Sequence, residues 1–201
     1  MAIVKTDYHQ PEFYHFNSDS IALVDYIKEN YSNKRIDTLL DYCSGVGVIA
    51  LELSNHFEIQ EIIFLDVQNE YEEFIEKNIE LLNFSNKSSF LNNYDVLKAM
   101  NKQVEMIVIN PPYFLETASR LPESDKRRIA RFYKKGELEL IIKNALSLCD
   151  KGTKLFMCIK LDEHNQEELK FLEELKNVGM KVTTLKKLSI FELTLTEDKL
   201  I

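Results

Sequence analysis

Glycine and proline are scarce in this chain, with 5 and 4 among 201 residues. That excludes collagen-like and Pro/Gly-rich disordered classes. Cysteine is nearly absent and odd in number (Cys43, Cys149, Cys158), with no CxxC pair. A disulfide framework is therefore not expected, and a reducing cytoplasm fits. The four histidines are scattered without HxxH or HxxxH spacing and away from the cysteines, so no metal site is expected. No apolar run approaches the ~20 residues that span a bilayer. The first residues, Met-Ala-Ile-Val-Lys-Thr-Asp, have neither an apolar h-region nor a small-residue cleavage site, so neither a leader nor a membrane partner is expected. What remains is an ordinary globular mix, 45% hydrophobic and 29% charged. The net charge of −8 speaks against indiscriminate coating of nucleic acid, which draws on many Lys/Arg–phosphate contacts.

The length predicts one domain over 1–201, with residues 1–35 as an N-terminal segment and helix. Short apolar runs alternate with longer amphipathic ones. Strands are predicted at 36–40, 62–65, 88–91, 105–109, 154–159, 181–185 and 191–195. Helices are predicted at 19–31, 48–55, 69–82, 137–148 and 163–177, with room for a short one before the fourth strand. This is the pattern of a doubly wound, mostly parallel seven-stranded sheet with helices on both faces. Its last two strands are too closely connected to be parallel. Such sheets bind ligands outside the carboxyl ends of their strands.

The strand ends carry the chemistry. After strand 1, Asp41-Tyr42-Cys43-Ser44-Gly45-Val46-Gly47 can turn tightly and approach a ligand, although a ligand-free strand–helix turn has the same pattern. Asp66 ends strand 2, 19 residues after Gly47, close to the ~20-residue spacing that places a carboxylate on a ribose. Alone it is equally a helix cap. Together these favour a nucleoside cofactor. Asp41 would repel a pyrophosphate and suits a cofactor with a cationic end, such as S-adenosylmethionine. Asp95 follows strand 3, either toward an adenine amine or as a solvated turn residue.

After strand 4 stands Asn110-Pro111-Pro112-Tyr113-Phe114. Two prolines end strand pairing and stiffen the turn. The Asn110 amide oxygen and the Pro111 carbonyl are two acceptors for one –NH₂ group, and Tyr113 can stack on a flat ring. Holding both hydrogens would turn the lone pair of a poorly nucleophilic amine toward an electrophile, a matter of positioning.

Asp41-x-Cys43-x-Gly45-x-Gly47, Asp66 and Asn110–Tyr113 resemble the class I S-adenosylmethionine-dependent methyltransferases that alkylate planar amino groups. Within these, Gln10–Asp19, Leu65-Asp66-Val67-Gln68 with Glu76-Lys77-Asn78, and Pro111–Phe114 followed by Arg127, Ala130 and Arg131 are similar to the bacterial tRNA(Val) adenine-N6 methyltransferases. The resemblance spans roughly residues 9–160. It implies a Rossmann-like fold and S-adenosylmethionine as cofactor, held by Asp41, Cys43, Gly45, Gly47, Asp66, Val67, Asp95 and Asn110. It implies that Asn110, Pro111, Pro112 and Tyr113 hold a target adenine. The family's Gly-Tyr-Arg is Phe13-Tyr14-His15 here, and its strand-2 Glu is Asp66.

Between residues 120 and 135, Arg120, Lys126, Arg127, Arg128, Arg131, Lys134 and Lys135 face only Glu123 and Asp125, a net +5 directly after the catalytic turn. With Phe114 they are the expected RNA contacts, against a merely solvated loop. The expectation is an N6-adenine methyltransferase for RNA, tRNA foremost. Protein-glutamine methylation, DNA adenine methylation, a non-catalytic cofactor-binding partner protein and a nicotinamide dehydrogenase are the alternatives.

Overall fold

The computed structural model describes residues 8–116, 122–160, 181–185 and 188–194, together with Lys170, Glu173 and Leu175. Its seven-stranded sheet is built from β1 (Arg35–Tyr42), β2 (Glu58–Leu65), β3 (Lys87–Leu91), β4 (Met106–Ile109), β7 (Lys154–Ile159), β8 (Lys181–Leu185) and β9 (Leu188–Thr194). The order is β3-β2-β1-β4-β7-β9-β8. The first five strands in this order run parallel, while β9 is antiparallel to β7 and β8. The doubly wound expectation and its antiparallel finish both hold.

The central strands are almost wholly apolar because they are covered on both faces. Met106, Ile107, Val108 and Ile109 of β4, and Leu155 to Ile159 of β7, are all buried. Helices α1 (Ser18–Asn30), α2 (Val48–Ser54), α3 (Tyr71–Leu81), α4 (Tyr94–Ala99) and α6 (Glu137–Ser147) link or cover the strands. α1 starts at Asn17, whose side chain accepts the Asp19 N–H.

Some strands are longer than the sequence suggests. β2 begins at Glu58, four residues before the predicted Ile62, because Glu61 is a buried carboxylate answered by Lys87 and Lys102. Paired charges let the strand continue where hydropathy alone breaks it. β9 likewise begins at Leu188. The segment read as a basic loop contains helix α5 (Asp125–Arg131), capped by Ser124, between two short strands, β5 (Phe114–Leu115) and β6 (Phe132–Tyr133), that pair in parallel. The charged helix predicted at 163–177 lies almost entirely outside the described residues, as does Arg120.

The register places the site. Tyr42, the last residue of β1, is paired with both Leu65 of β2 and Ile109 of β4. The three loops that follow therefore leave the sheet at one level, where the strand order reverses.

Candidate active site

The loop after β1 is bent by three left-handed residues, Cys43 (φ 61°), Gly45 (φ 51°) and Gly47 (φ 78°). Gly47 has a second reason to be glycine: a Cβ there would stand 2.8 Å from Cε1 of the buried Phe64. The Ser44 N–H donates to the Leu65 carbonyl at 3.1 Å and the Gly47 N–H to the Ser44 carbonyl at 2.9 Å. Asp66 holds the loop from the neighbouring strand. Its Oδ2 accepts the Gly45 N–H at 2.9 Å, and its Oδ1 accepts the Gln68 N–H at 3.0 Å. Burial pushes its pKa up to about 6, against the opposing pull of those two backbone bonds.

Asp41 has a different place from the one expected. It is fully buried beneath the loop, where its Oδ2 accepts the Ala50 N–H at 3.2 Å, and it does not line the cavity. Its Oδ1 has no hydrogen-bond partner among the described residues. Burial raises its pKa well above the ordinary carboxylate value. Asp95 also stands apart, exposed in the first turn of α4, with its N–H capped by Asn93. At this strand end Asn92 and Tyr94 line the cavity instead.

The cavity measures about 420 Å³, the size of a cofactor or ligand site. Cys43, Gly45, Asp66 and Val67 form one wall and Asn110 and Pro112 another. Val67 is 72% exposed, an apolar side chain left open at the rim beside Asp66. Gly47 shapes the loop from behind the lining.

The turn after β4 is held by its own side chains. Asn110 donates from Nδ2 to Ser20 Oγ at 2.9 Å and accepts the Tyr113 hydroxyl on Oδ1 at 2.5 Å. Pro111 is buried, and no hydrogen bond among the described residues takes its carbonyl. Tyr113 is also buried and does not line the cavity, so its ring is not presented to a flat acceptor in this conformation. Its environment raises its pKa, through burial first and Cys158 second. Phe114, 44% exposed, lies on the β5–β6 ribbon beside Phe132.

The cations form a roof. Arg128 and Lys134 line the cavity. Arg128 pairs with Asp125 at 3.0 Å and approaches Glu116 at 3.9 Å. Lys126 pairs with Glu70 at 2.8 Å and lies over the Phe13 ring. Arg131 lies 5.3 Å over the Phe114 ring. Arg127 and Lys135 are exposed. A helix stacked and paired in this way replaces the solvated loop.

Among the lining residues that escaped the reading of single positions are Tyr14, Phe16 and Ser20. Tyr14 and Phe16 belong to the Gln10–Asp19 segment, whose fold explains their placement, and Ser20 follows it directly. Asn78 of α3 is fully buried, accepts the His9 N–H at 2.8 Å and donates to the His9 and Val46 carbonyls at 3.1 and 3.0 Å. One side chain thus ties the N-terminal segment to the glycine loop. Gln10 Oε1 accepts the Phe16 N–H at 3.0 Å and closes the segment on itself. Among the described residues no helix is long and apolar enough to cross a membrane, and no group of three or more His, Cys, Asp or Glu side chains is placed to hold a metal.

Comparison with known proteins bears on the family and the fold. The model of the methyltransferase small domain family matches residues 15–166. The release factor glutamine methyltransferase of Mycoplasma mycoides subsp. mycoides is 26% identical over 119 residues, which are 55% of this chain and 42% of that protein. The chain spans under half the length of the curated relatives it matches. Among solved structures, the precorrin 8w decarboxylase of Methanobacterium thermoautotrophicum superposes with a TM-score of 0.64 at 13% identity, covering 96% of this chain and 100% of that one. A 16S rRNA methyltransferase from T. thermophilus, solved with AdoMet and guanosine, gives 0.63 at 16% identity, covering 89% and 43%.

Proposed function

The chain belongs to the methyltransferase small domain family, and from that premise we propose that it transfers a methyl group from S-adenosylmethionine to the N6 amine of adenine in RNA, with tRNA as the substrate. One observation carries the reading. A cavity with the Asp66 carboxylate on one side has the Asn110 amide on another and a cationic helix as its roof.

The residues present fit the cofactor. Asp66 has two oxygens with lone pairs beyond the Gly45 and Gln68 bonds, enough to accept from two ribose hydroxyls. The left-handed backbone at Gly45 lets the chain approach a ligand where a Cβ would meet nothing within 4 Å. The open Val67 side chain suits the face of a flat base. S-adenosylmethionine supplies an electrophilic methyl group on a sulfonium. The chain's own task is to bind and orient the acceptor. Asn110 Oδ1 and the Pro111 carbonyl accept its two amine hydrogens, which turns the nitrogen lone pair toward the methyl group. Phe114 and Arg131, already stacked on each other, offer a flat surface to an extruded base, and Arg127, Lys134 and Lys135 meet the phosphates.

The glutamine methyltransferase relative supports a second reading, in which the same two acceptors hold a glutamine side-chain amide. The sign of the roof favours RNA.

The test supplies purified protein and labelled S-adenosylmethionine with total RNA from cells lacking the protein, followed by mass spectrometry of the nucleosides. N6-methyladenosine in the tRNA fraction, lost with Asn110→Ala, is the expected result. Label appearing only on a glutamine-bearing protein acceptor would replace RNA with the second reading.

A further inference from the structure

We infer that Ser20 is a positioning residue that fixes which end of the Asn110 amide faces the acceptor, with Tyr113 completing the hold. The inference deepens the proposed reaction and rests on it.

A primary amide can turn through a half-circle about its last torsion and exchange oxygen for nitrogen. Only the oxygen accepts a hydrogen from an amine, so a turned amide would present a donor to a donor. Ser20 Oγ and the Tyr113 hydroxyl hold the two ends of the Asn110 amide, at 2.9 and 2.5 Å. Each hydroxyl can donate or accept, so their chemistry alone permits both orientations. The lengths choose between them. A separation of 2.5 Å belongs to the O–H···O class and is too short for an amide N–H, and 2.9 Å fits the N–H···O bond that this leaves for the other end. The oxygen therefore faces Tyr113 and the nitrogen faces Ser20.

Tyr113 is itself fixed. Its hydroxyl lies 3.5 Å from Cys158 Sγ, and Lys160 Nζ stands 5.4 Å over its ring. Lys160 pairs with Asp19 at 2.5 Å. Asp19 and Ser20 are neighbours in the first turn of α1, so one helical turn holds the amide directly and the phenol through Lys160. Ser20 is buried yet does not cap its helix, because Asn17 does that. An amide oxygen has two lone pairs; Tyr113 takes one and leaves the second for the acceptor. Ser20 and Asn110 both line the cavity.

The test uses the full chain in two arms. In the first, protein labelled with ¹⁵N-asparagine is followed by NMR, the Asn110 side-chain signal being assigned by its loss in Asn110→Asp. Ser20→Ala is expected to speed hydrogen exchange of that amide about tenfold, and Ser20→Thr, which keeps the hydroxyl, to restore protection. In the second, methyl transfer from labelled S-adenosylmethionine to total RNA lacking the modification is measured. Ser20→Ala is expected to lower kcat about five- to tenfold with the KM for S-adenosylmethionine unchanged, and to cost nothing further in an Asn110→Ala background. Unchanged exchange overturns the inference, as does a loss that adds fully to Asn110→Ala or resides only in KM. If the wild-type protein methylates no RNA, the functional reading fails, while the exchange arm still decides whether Ser20 orients the amide.

Discussion

Two glycines of one loop separate backbone freedom from packing. Gly45 needs only its left-handed conformation, since a Cβ there meets nothing within 4 Å; Gly47 needs both the conformation and the space against Phe64. Gly45→Ala is expected to cost about 1 kcal/mol, from left-handed strain alone. Gly47→Ala adds a clash with a ring that cannot withdraw, for a total of about 2–4 kcal/mol. Thermal unfolding should show roughly 2–4 °C against roughly 5–15 °C. Equal shifts would mean that Phe64 yields. Asp66 sets a pH dependence at the same site. Its folded pKa of about 6 lies above the ordinary 3.8 because burial disfavours the charge. Between these values the folded chain holds more protons than the unfolded one. This group's contribution to stability therefore falls as pH rises from about 4 to 6. Binding runs the other way, since hydroxyls are accepted by the ionised carboxylate. Calorimetry should show S-adenosylmethionine binding weaken as pH drops below 6. Asp66→Asn should bind roughly 10- to 100-fold more weakly and lose that dependence.

The most informative departure among the elements is α5. Seven residues with three arginines and a lysine read as part of a basic, RNA-contacting loop and not as a helix, because a charge run has no apolar period. The helix is held instead by groups far away in sequence: Glu70 of the loop before α3 takes Lys126, and Phe114 of β5 carries Arg131. Removing one latch should matter more to local order than to global stability, since an exposed ion pair is worth about 0–1 kcal/mol. Glu70→Ala is accordingly expected to leave the unfolding midpoint within roughly 2 °C and to speed tryptic cleavage at Lys126–Arg128 several-fold. Unchanged cleavage would show that the Phe114 stack alone holds the helix. The same contrast explains what was legible. Strands β1, β4 and β7 announce themselves because both their faces are buried, and the glycine loop and Asn110–Tyr113 lie where strand ends put them. The roles of Asp41 and Tyr113 were not legible, because their chemistry depends on which way a side chain points. Asp41 turns inward to Ala50, and Tyr113 gives its hydroxyl to Asn110. Asn78 was legible only as part of the family resemblance and not in its bonding role, since its three bonds reach residues 32 and 69 positions away.

For the whole molecule the net charge of −8 acquires a direction. Residues 120–135 carry +5, so the remainder is close to −13. A basic segment on an otherwise acidic chain favours selectivity over general affinity for a polyanion. The roof is also less basic in effect than in composition. Lys126 and Arg128 are already paired, and Arg131 is stacked. Arg127, Lys134 and Lys135 are exposed cations of the same segment. If these three meet phosphates, the slope of log K against log salt for RNA should be about −2 to −3, far shallower than for a protein that coats nucleic acid. Arg127→Ala combined with Lys135→Ala should bring the slope to about −1 without changing S-adenosylmethionine affinity, because neither residue lines the cavity. A slope that stays steep in the double variant would move the phosphate contacts away from α5. A slope near zero in the wild type would remove phosphate recognition from the site and leave the amide of a protein acceptor as the group that Asn110 holds.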